Sequence, residues 1–149
     1  MRSRALITVL LTVAVVSAWL NGLLVRWFQV EFQFGDTADR GDYLVGAGGC
    51  LATALLLFVA MIALFAFRPP RWLLIGTAIG VGTQLALSIT SYRHARGLGD
   101  DAVDGTFGKG FREVFLLPGS WPLLLAILVA VVVALRGRSS PAPPPPPDR

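Results

Sequence analysis

Residues 76–88, GTAIGVGTQLALS, lie in the middle of a long apolar run. Three glycines, two threonines, a glutamine and a serine interrupt that run. Four of these residues recur every four positions and therefore share one face of a helix: Gly76, Gly80, Gln84 and Ser88. In a membrane, small residues at this spacing are typical of a surface where helices touch, and polar ones also suit the wall of a polar path. The segment therefore predicts a membrane helix and leaves these two interpretations open.

Four apolar runs are long enough to cross a bilayer. Each would span a hydrocarbon core of roughly 30 Å at about 1.5 Å per helical residue. The chain is 54% hydrophobic and only 15% charged, whereas a soluble domain carries about a quarter charged residues. We therefore predict an all-α integral membrane four-helix bundle in one domain, residues 1–138, with a disordered Pro-rich cytoplasmic tail at 139–149. The predicted spans are residues 6–25, 43–67, 72–92 and 116–135.

The basic residues predict the orientation of the bundle. If the spans alternate, one side receives seven of the thirteen, in short dense clusters, and the other side receives six. Cytoplasmic loops are enriched in Arg and Lys, so both termini are predicted to lie in the cytoplasm. The first span reads as an uncleaved anchor, although residues 16–18 also fit a signal-peptide cleavage pattern. The seven are Arg2, Arg4, Arg68, Arg71, Arg136, Arg138 and Arg149.

The composition, with twelve arginines, one lysine and many Ala, Gly and Val residues, indicates a GC-rich bacterial genome. In hydropathy and topology the chain resembles the uncharacterised four-span plasma-membrane proteins of high-GC Gram-positive bacteria. That resemblance implies a multi-pass plasma-membrane protein and transfers no functional residue. The arginines are expected to contact anionic lipid headgroups, so no nucleic-acid partner is predicted.

The two outer loops carry further patterns. Phe107, Phe111 and Phe115 recur every four residues and predict a short helix lying at the membrane interface. Ser120 and Pro122 then predict the start of the fourth span. Residues 28–34 alternate between apolar and polar, which fits either a short strand or the frayed end of the first span, and we favour the helix end.

Small residues collect on three of the spans and predict where these helices pack. Because small side chains let helix backbones approach closely, the first three spans are expected to meet along these faces. A neighbouring face of the third span carries Ala78, Gly82 and Ala86. The predicted packing seam includes Gly46, Cys50, Gly76, Gly80 and Gly82.

Polar side chains concentrate in the outer half of the same spans. They either hydrogen-bond between helices or line a shallow cavity that opens to the outer surface. Arg26 and His94 would stand at the rim of such a cavity. The predicted lining residues are Asn21, Thr53, Gln84 and Ser88.

The sequence offers no recognisable catalytic, cofactor or metal site. Cys50 is the only cysteine and His94 the only histidine, so a Cys- or His-rich metal centre is not expected. No acidic residue lies within the core of a span, which argues against a proton relay. We therefore predict no catalytic residues, cofactor or metal.

Three hypotheses for function follow. The first is a non-enzymatic accessory or assembly partner of an envelope complex, bound to another membrane protein or to further copies of itself. The second is a small channel or transport component that uses the outer polar residues. The third is a lipid-headgroup binder or enzyme at the outer surface, using His94, Arg93, Arg96 and the acidic residues of 100–104.

Overall fold

The computed structural model describes residues 2–33, 39–98 and 106–138, and in this part of the chain every regular element is helical. Its side chains are described for residues 5–27, 39–65, 67–98 and 106–136. The predicted tail at 139–149 and the acidic residues of 100–104 lie outside the described residues. The five α-helices are α1 (Arg2–Gln33), α2 (Arg40–Leu64), α3 (Arg71–Gly97), α4 (Thr106–Leu116) and α5 (Trp121–Arg138).

Four of these helices are long and apolar enough to cross a membrane. The apolar segments are Ala5–Trp27, Arg40–Leu64, Arg71–Gly97 and Pro118–Arg136, close to the four predicted spans. α1 continues as a helix through residues 28–33, which confirms the helical interpretation of that segment over a strand. For the described residues, the prediction of an all-helical fold with four long apolar helices is confirmed.

Local signals set the ends of α2. Asp39 caps its first turn by accepting a hydrogen bond from the Asp42 backbone N–H, and the Asp42 carboxylate accepts one from the Asp39 N–H in return. At the other end a single 3₁₀ turn, Phe65–Phe67, leads to Arg68 in the left-handed conformation. Pro69 and Pro70 cannot continue the helix, so the chain reverses and α3 begins at Arg71. This tight connection makes α2 and α3 antiparallel neighbours.

α2 is the central helix and contacts α1, α3, α4 and α5. Toward the α2–α3 turn, the core is a cluster of leucines and alanines that includes Leu11, Ala18, Leu57 and Leu123. Toward the other end, a smaller cluster is formed by Val25, Ala52 and Val114. We call these two ends of the bundle the turn end and the α4 end.

α4 packs directly onto α2 at the α4 end. Gly110 and Val114 are its buried residues, while Phe111 and Phe115 pack against the Val25 cluster. The aromatic stripe predicted from the sequence therefore faces partly into the bundle. The next turn, Pro118–Ser120, connects α4 to the start of α5 at Trp121, directly after Ser120 as predicted.

Candidate functional site

A cluster of neutral polar groups lies where α1, α2 and α3 meet toward the α4 end. Its central side chain is Gln84, which is fully buried and donates from Nε2 to the Trp19 carbonyl at 3.0 Å. Thr53, also fully buried, donates to the Gly49 carbonyl of its own helix at 3.0 Å. The Gln84 Oε1 atom has no hydrogen-bond partner among the described residues. We call Gln84 and Thr53, together with Asn21, Cys50, Ser88 and Ser120, the polar cluster.

Gly22 allows α1 to approach the polar cluster. A Cβ atom at this position would lie 2.5 Å from Thr53 Oγ1 and 2.8 Å from Gln84 Oε1, so any larger residue would collide with both side chains. The Gly22 carbonyl accepts a weak hydrogen bond from Cys50 Sγ at 3.8 Å. The contact of α1 with Thr53 and Gln84 therefore requires a glycine at position 22.

Two more hydrogen bonds join elements around this cluster. Asn21 Nδ2 donates to Ser120 Oγ at 3.0 Å, which connects α1 to the turn before α5. Gly119 lies so close to the Asn21 amide that no side chain fits between them. Ser88 Oγ donates to the Ala47 carbonyl at 2.8 Å and connects α3 to α2. These bonds tie α5 and α3 to the rest of the bundle.

The residues predicted to line an outer cavity are therefore placed inside helix contacts. Asn21, Thr53, Gln84 and Ser88 expose at most 7% of their surface. Because they are closed off and hydrogen-bonded within the protein, these four side chains do not form an open cavity wall in the described part of the chain. The bonds of Asn21, Gln84 and Ser88 match the alternative interpretation, hydrogen bonding between helices, whereas Thr53 bonds a carbonyl of its own helix.

The two predicted rim residues differ in their relation to this cluster, since Arg26 lies within electrostatic range of Cys50 and His94 contacts Tyr43. Arg26 is half-buried beside Leu23 and Trp27 on α1. His94 is exposed on α3, and its ring lies 4.2 Å from the ring of Tyr43, centroid to centroid. Neither residue has a described hydrogen bond to the polar cluster.

The predicted packing seam divides into two groups. Gly46, Cys50 and Gly80 are buried, and a Cβ on Gly80 would lie 3.3 Å from Leu57 Cδ1 and 3.5 Å from Trp19 Cδ1. Gly76 and Gly82 are exposed, and a Cβ on either would meet nothing within 4 Å. The prediction that Gly76 and Gly82 pack between helices of the bundle is wrong, because α3 turns both away from α2.

The closest helix contact was not predicted from the sequence. Gly48 lies against the Phe107 carbonyl of α4, and Gly110 lies against the Val45 carbonyl of α2, so the two backbones touch directly. The sequence signals for this contact are the Gly48–Gly49 pair and the glycine on an otherwise amphipathic α4. The sequence does not pair these two signals, because Gly48 and Gly110 are 62 positions apart in the chain.

Chemically, the polar cluster consists of amides, hydroxyls and one thiol. None of its side chains is a carboxylate or an imidazole, and within residues 2–33, 39–98 and 106–138 no group of three His, Cys, Asp or Glu side chains gathers as metal ligands would. The arrangement is suited to holding helices together through hydrogen bonds. No protein-family model, curated protein or solved structure matches the chain.

Proposed function

We propose that the chain is a multi-pass protein of the plasma membrane, with both termini in the cytoplasm, that acts as a non-enzymatic assembly partner of an envelope complex. The proposal has two parts, the location in the bilayer and the attachment to another membrane protein. Each part is supported by a different set of exposed side chains.

The bilayer location is supported by the outer surface of the helices. Large apolar side chains on several helices point away from the core, with Val9 57%, Ile79 61% and Leu125 61% exposed. A soluble protein rarely leaves so many large apolar side chains exposed, because exposed apolar surface promotes association. Lipid is the solvent in which this surface is stable.

Attachment to a partner is supported by one observation, the outward face of α3. Ala78, Gly82 and Ala86 follow one another at intervals of four, and all three are exposed. Within the most apolar 18-residue stretch of each helix, 28% of the residues are buried in α3 and 17% in α5, against 61% in α2, so the small exposed residues are what distinguishes α3. Small residues at this spacing let a second helix approach closely, which is the main attraction between helices in lipid. We call these three residues the α3 outer face.

The alternative of a channel has less support. A polar path would need hydrated side chains, whereas Gln84 and Thr53 are fully buried and donate to backbone carbonyls. The hypothesis of a headgroup enzyme would need catalytic groups brought together around His94, whose described ring contact is with Tyr43. The contacts therefore favour a role in assembly.

Crosslinking in native membranes, followed by mass spectrometry, tests the proposal. We expect a fixed partner, another membrane protein or a second copy of this chain, to be captured by the wild type and reduced at least fivefold by Gly82→Leu. Gly76→Leu serves as the matched control, because Gly76 is equally open but is not one of the three residues of the α3 outer face. Two differently tagged copies would distinguish self-association from a different partner. Equal capture by both variants would contradict the proposed α3 outer face.

A further inference from the structure

An apolar groove runs between α1 and α3 on the outside of the bundle. Its volume is about 270 Å³. Leu57 of α2 and Gly80 form part of its lining where the two helices separate. Val16 and Trp19 of α1 border it on one side, and Trp72 and Gly76 of α3 border it on the other.

The side-chain polar atoms that border the groove already make hydrogen bonds within the protein. The Thr12 hydroxyl donates to the Thr8 carbonyl at 2.8 Å, and the Thr77 hydroxyl donates to the Leu73 carbonyl at the same distance. Trp19 Nε1 donates to Thr83 Oγ1 at 3.1 Å, a bond that joins α1 to α3 at one end of the groove. The groove therefore presents hydrocarbon, and a ligand inside it needs no hydrogen-bonding groups.

The dimensions of the groove fit a slender chain. From Trp72 to Thr83 it follows about 16 Å of α3, roughly half of a 30 Å hydrocarbon core. The groove follows the direction of the helices, and its length suits an extended acyl chain that begins at one membrane surface and ends near the bilayer centre.

Positively charged residues lie at the turn end of the bundle, next in the chain to the groove lining. Trp72 follows Arg71 directly, and both Arg71 and Arg68 are exposed at the turn end. Tryptophan at a span end is typical of the headgroup level of a membrane, and exposed arginines attract anionic phosphates there. Hydrocarbon along the groove and the exposed Arg71, next in the chain to the lining residue Trp72, match the two parts of a phospholipid.

We propose that the α1–α3 groove binds one acyl chain of an anionic phospholipid from the leaflet at the turn end, with the phosphate beside Arg71. This inference rests on the bilayer location proposed above. Trp19 and Thr83 stop the chain near the middle of the membrane, and the missing side chain of Gly76 leaves the groove open. The site is separate from the α3 outer face.

Retention of lipid through purification tests this site. The protein is reconstituted into vesicles of equal parts phosphatidylglycerol and phosphatidylcholine, floated on a density gradient, extracted in mild detergent and analysed by native mass spectrometry. We expect about one phospholipid per chain to remain bound to the wild type, and phosphatidylglycerol to dominate. Gly76→Leu should lower the retained lipid at least fivefold, because its side chain would fill the groove, while Gly82→Leu should retain as much as the wild type.

Arg71→Gln tests the headgroup contact separately. It should remove the preference for phosphatidylglycerol and leave chain binding in place. Circular dichroism checks that each variant folds, which is expected because a Cβ at Gly76 or Gly82 meets nothing within 4 Å. A chain that does not float with the vesicles would overturn the bilayer location itself. A chain that floats but retains no phospholipid, or retains it equally in Gly76→Leu, would overturn the groove site alone.

Discussion

Two pairs of glycines in this protein look alike in sequence and have opposite surroundings. Gly48 of α2 and Gly110 of α4 lie against backbone carbonyls of the facing helix, so that not even a methyl group fits. Gly76 and Gly82 of α3 have nothing within 4 Å of the place where a Cβ would be. The first pair closes the bundle at the α4 end, and the second pair leaves open surface on α3.

The comparison shows that a small residue in a membrane helix indicates a site of close contact but does not identify the group that makes the contact. At Gly48 and Gly110 the approaching element belongs to the same chain. At Gly82 we propose another protein, and at Gly76 a lipid chain. Substitutions at the two kinds of position should therefore differ in kind: inside the bundle they should change stability, and on α3 they should change binding.

The largest effect on stability is expected from Gly110→Ala. The new methyl group would collide with the Val45 carbonyl, and α4 would have to move away from α2. Overpacking of this kind costs about 3 kcal/mol. Gly108→Ala is the control on the same helix, because a Cβ there meets nothing within 4 Å and gains helix propensity. Thermal unfolding in detergent measures both, and equal melting temperatures would contradict the close contact.

A smaller loss is expected from Gly80→Leu. Its Cβ would already lie 3.3 Å from Leu57 Cδ1, so the longer side chain must displace the core at a cost of about 1–3 kcal/mol. Leu128→Ala should cost less, because Leu128 is 58% exposed and removing it leaves no buried cavity. The same unfolding assay compares them. If Leu128→Ala were as destabilising, Gly80 would not lie in the packed interface.

The smallest of the three losses is expected from Ser120→Ala. It removes the acceptor of the Asn21 amide and leaves that amide unpaired inside the protein, a loss of about 0.5–2 kcal/mol. Thr90→Ala is the matched control, since the exposed Thr90 hydroxyl only donates to the Leu87 carbonyl of its own helix. A lower melting temperature for Ser120→Ala alone would confirm the bond between α1 and the α5 start, and identical curves would exclude a stabilising role.

Much of the polar cluster was predictable as a set of residues, but its geometry was not. The four-residue spacing correctly grouped Gly80, Gln84 and Ser88 on the buried side of α3. The same spacing wrongly included Gly76, which is exposed one turn before Gly80. Helical periodicity predicts which residues share a face of one helix. It does not predict how many of those residues the neighbouring helix covers.

The sequence by itself determined that the chain is helical, where its four long apolar helices lie, and where they turn. These properties depend on local chemistry: runs of apolar residues, the Asp39 and Asp42 cap, and the Pro69–Pro70 break. Only the tertiary structure decided that α2 lies at the centre, that α4 packs on Gly48, and that Asn21 binds Ser120 rather than lining a cavity. The physical reason is that these contacts join residues far apart in the chain, and which small residue meets which helix depends on how all five helices share the space around α2.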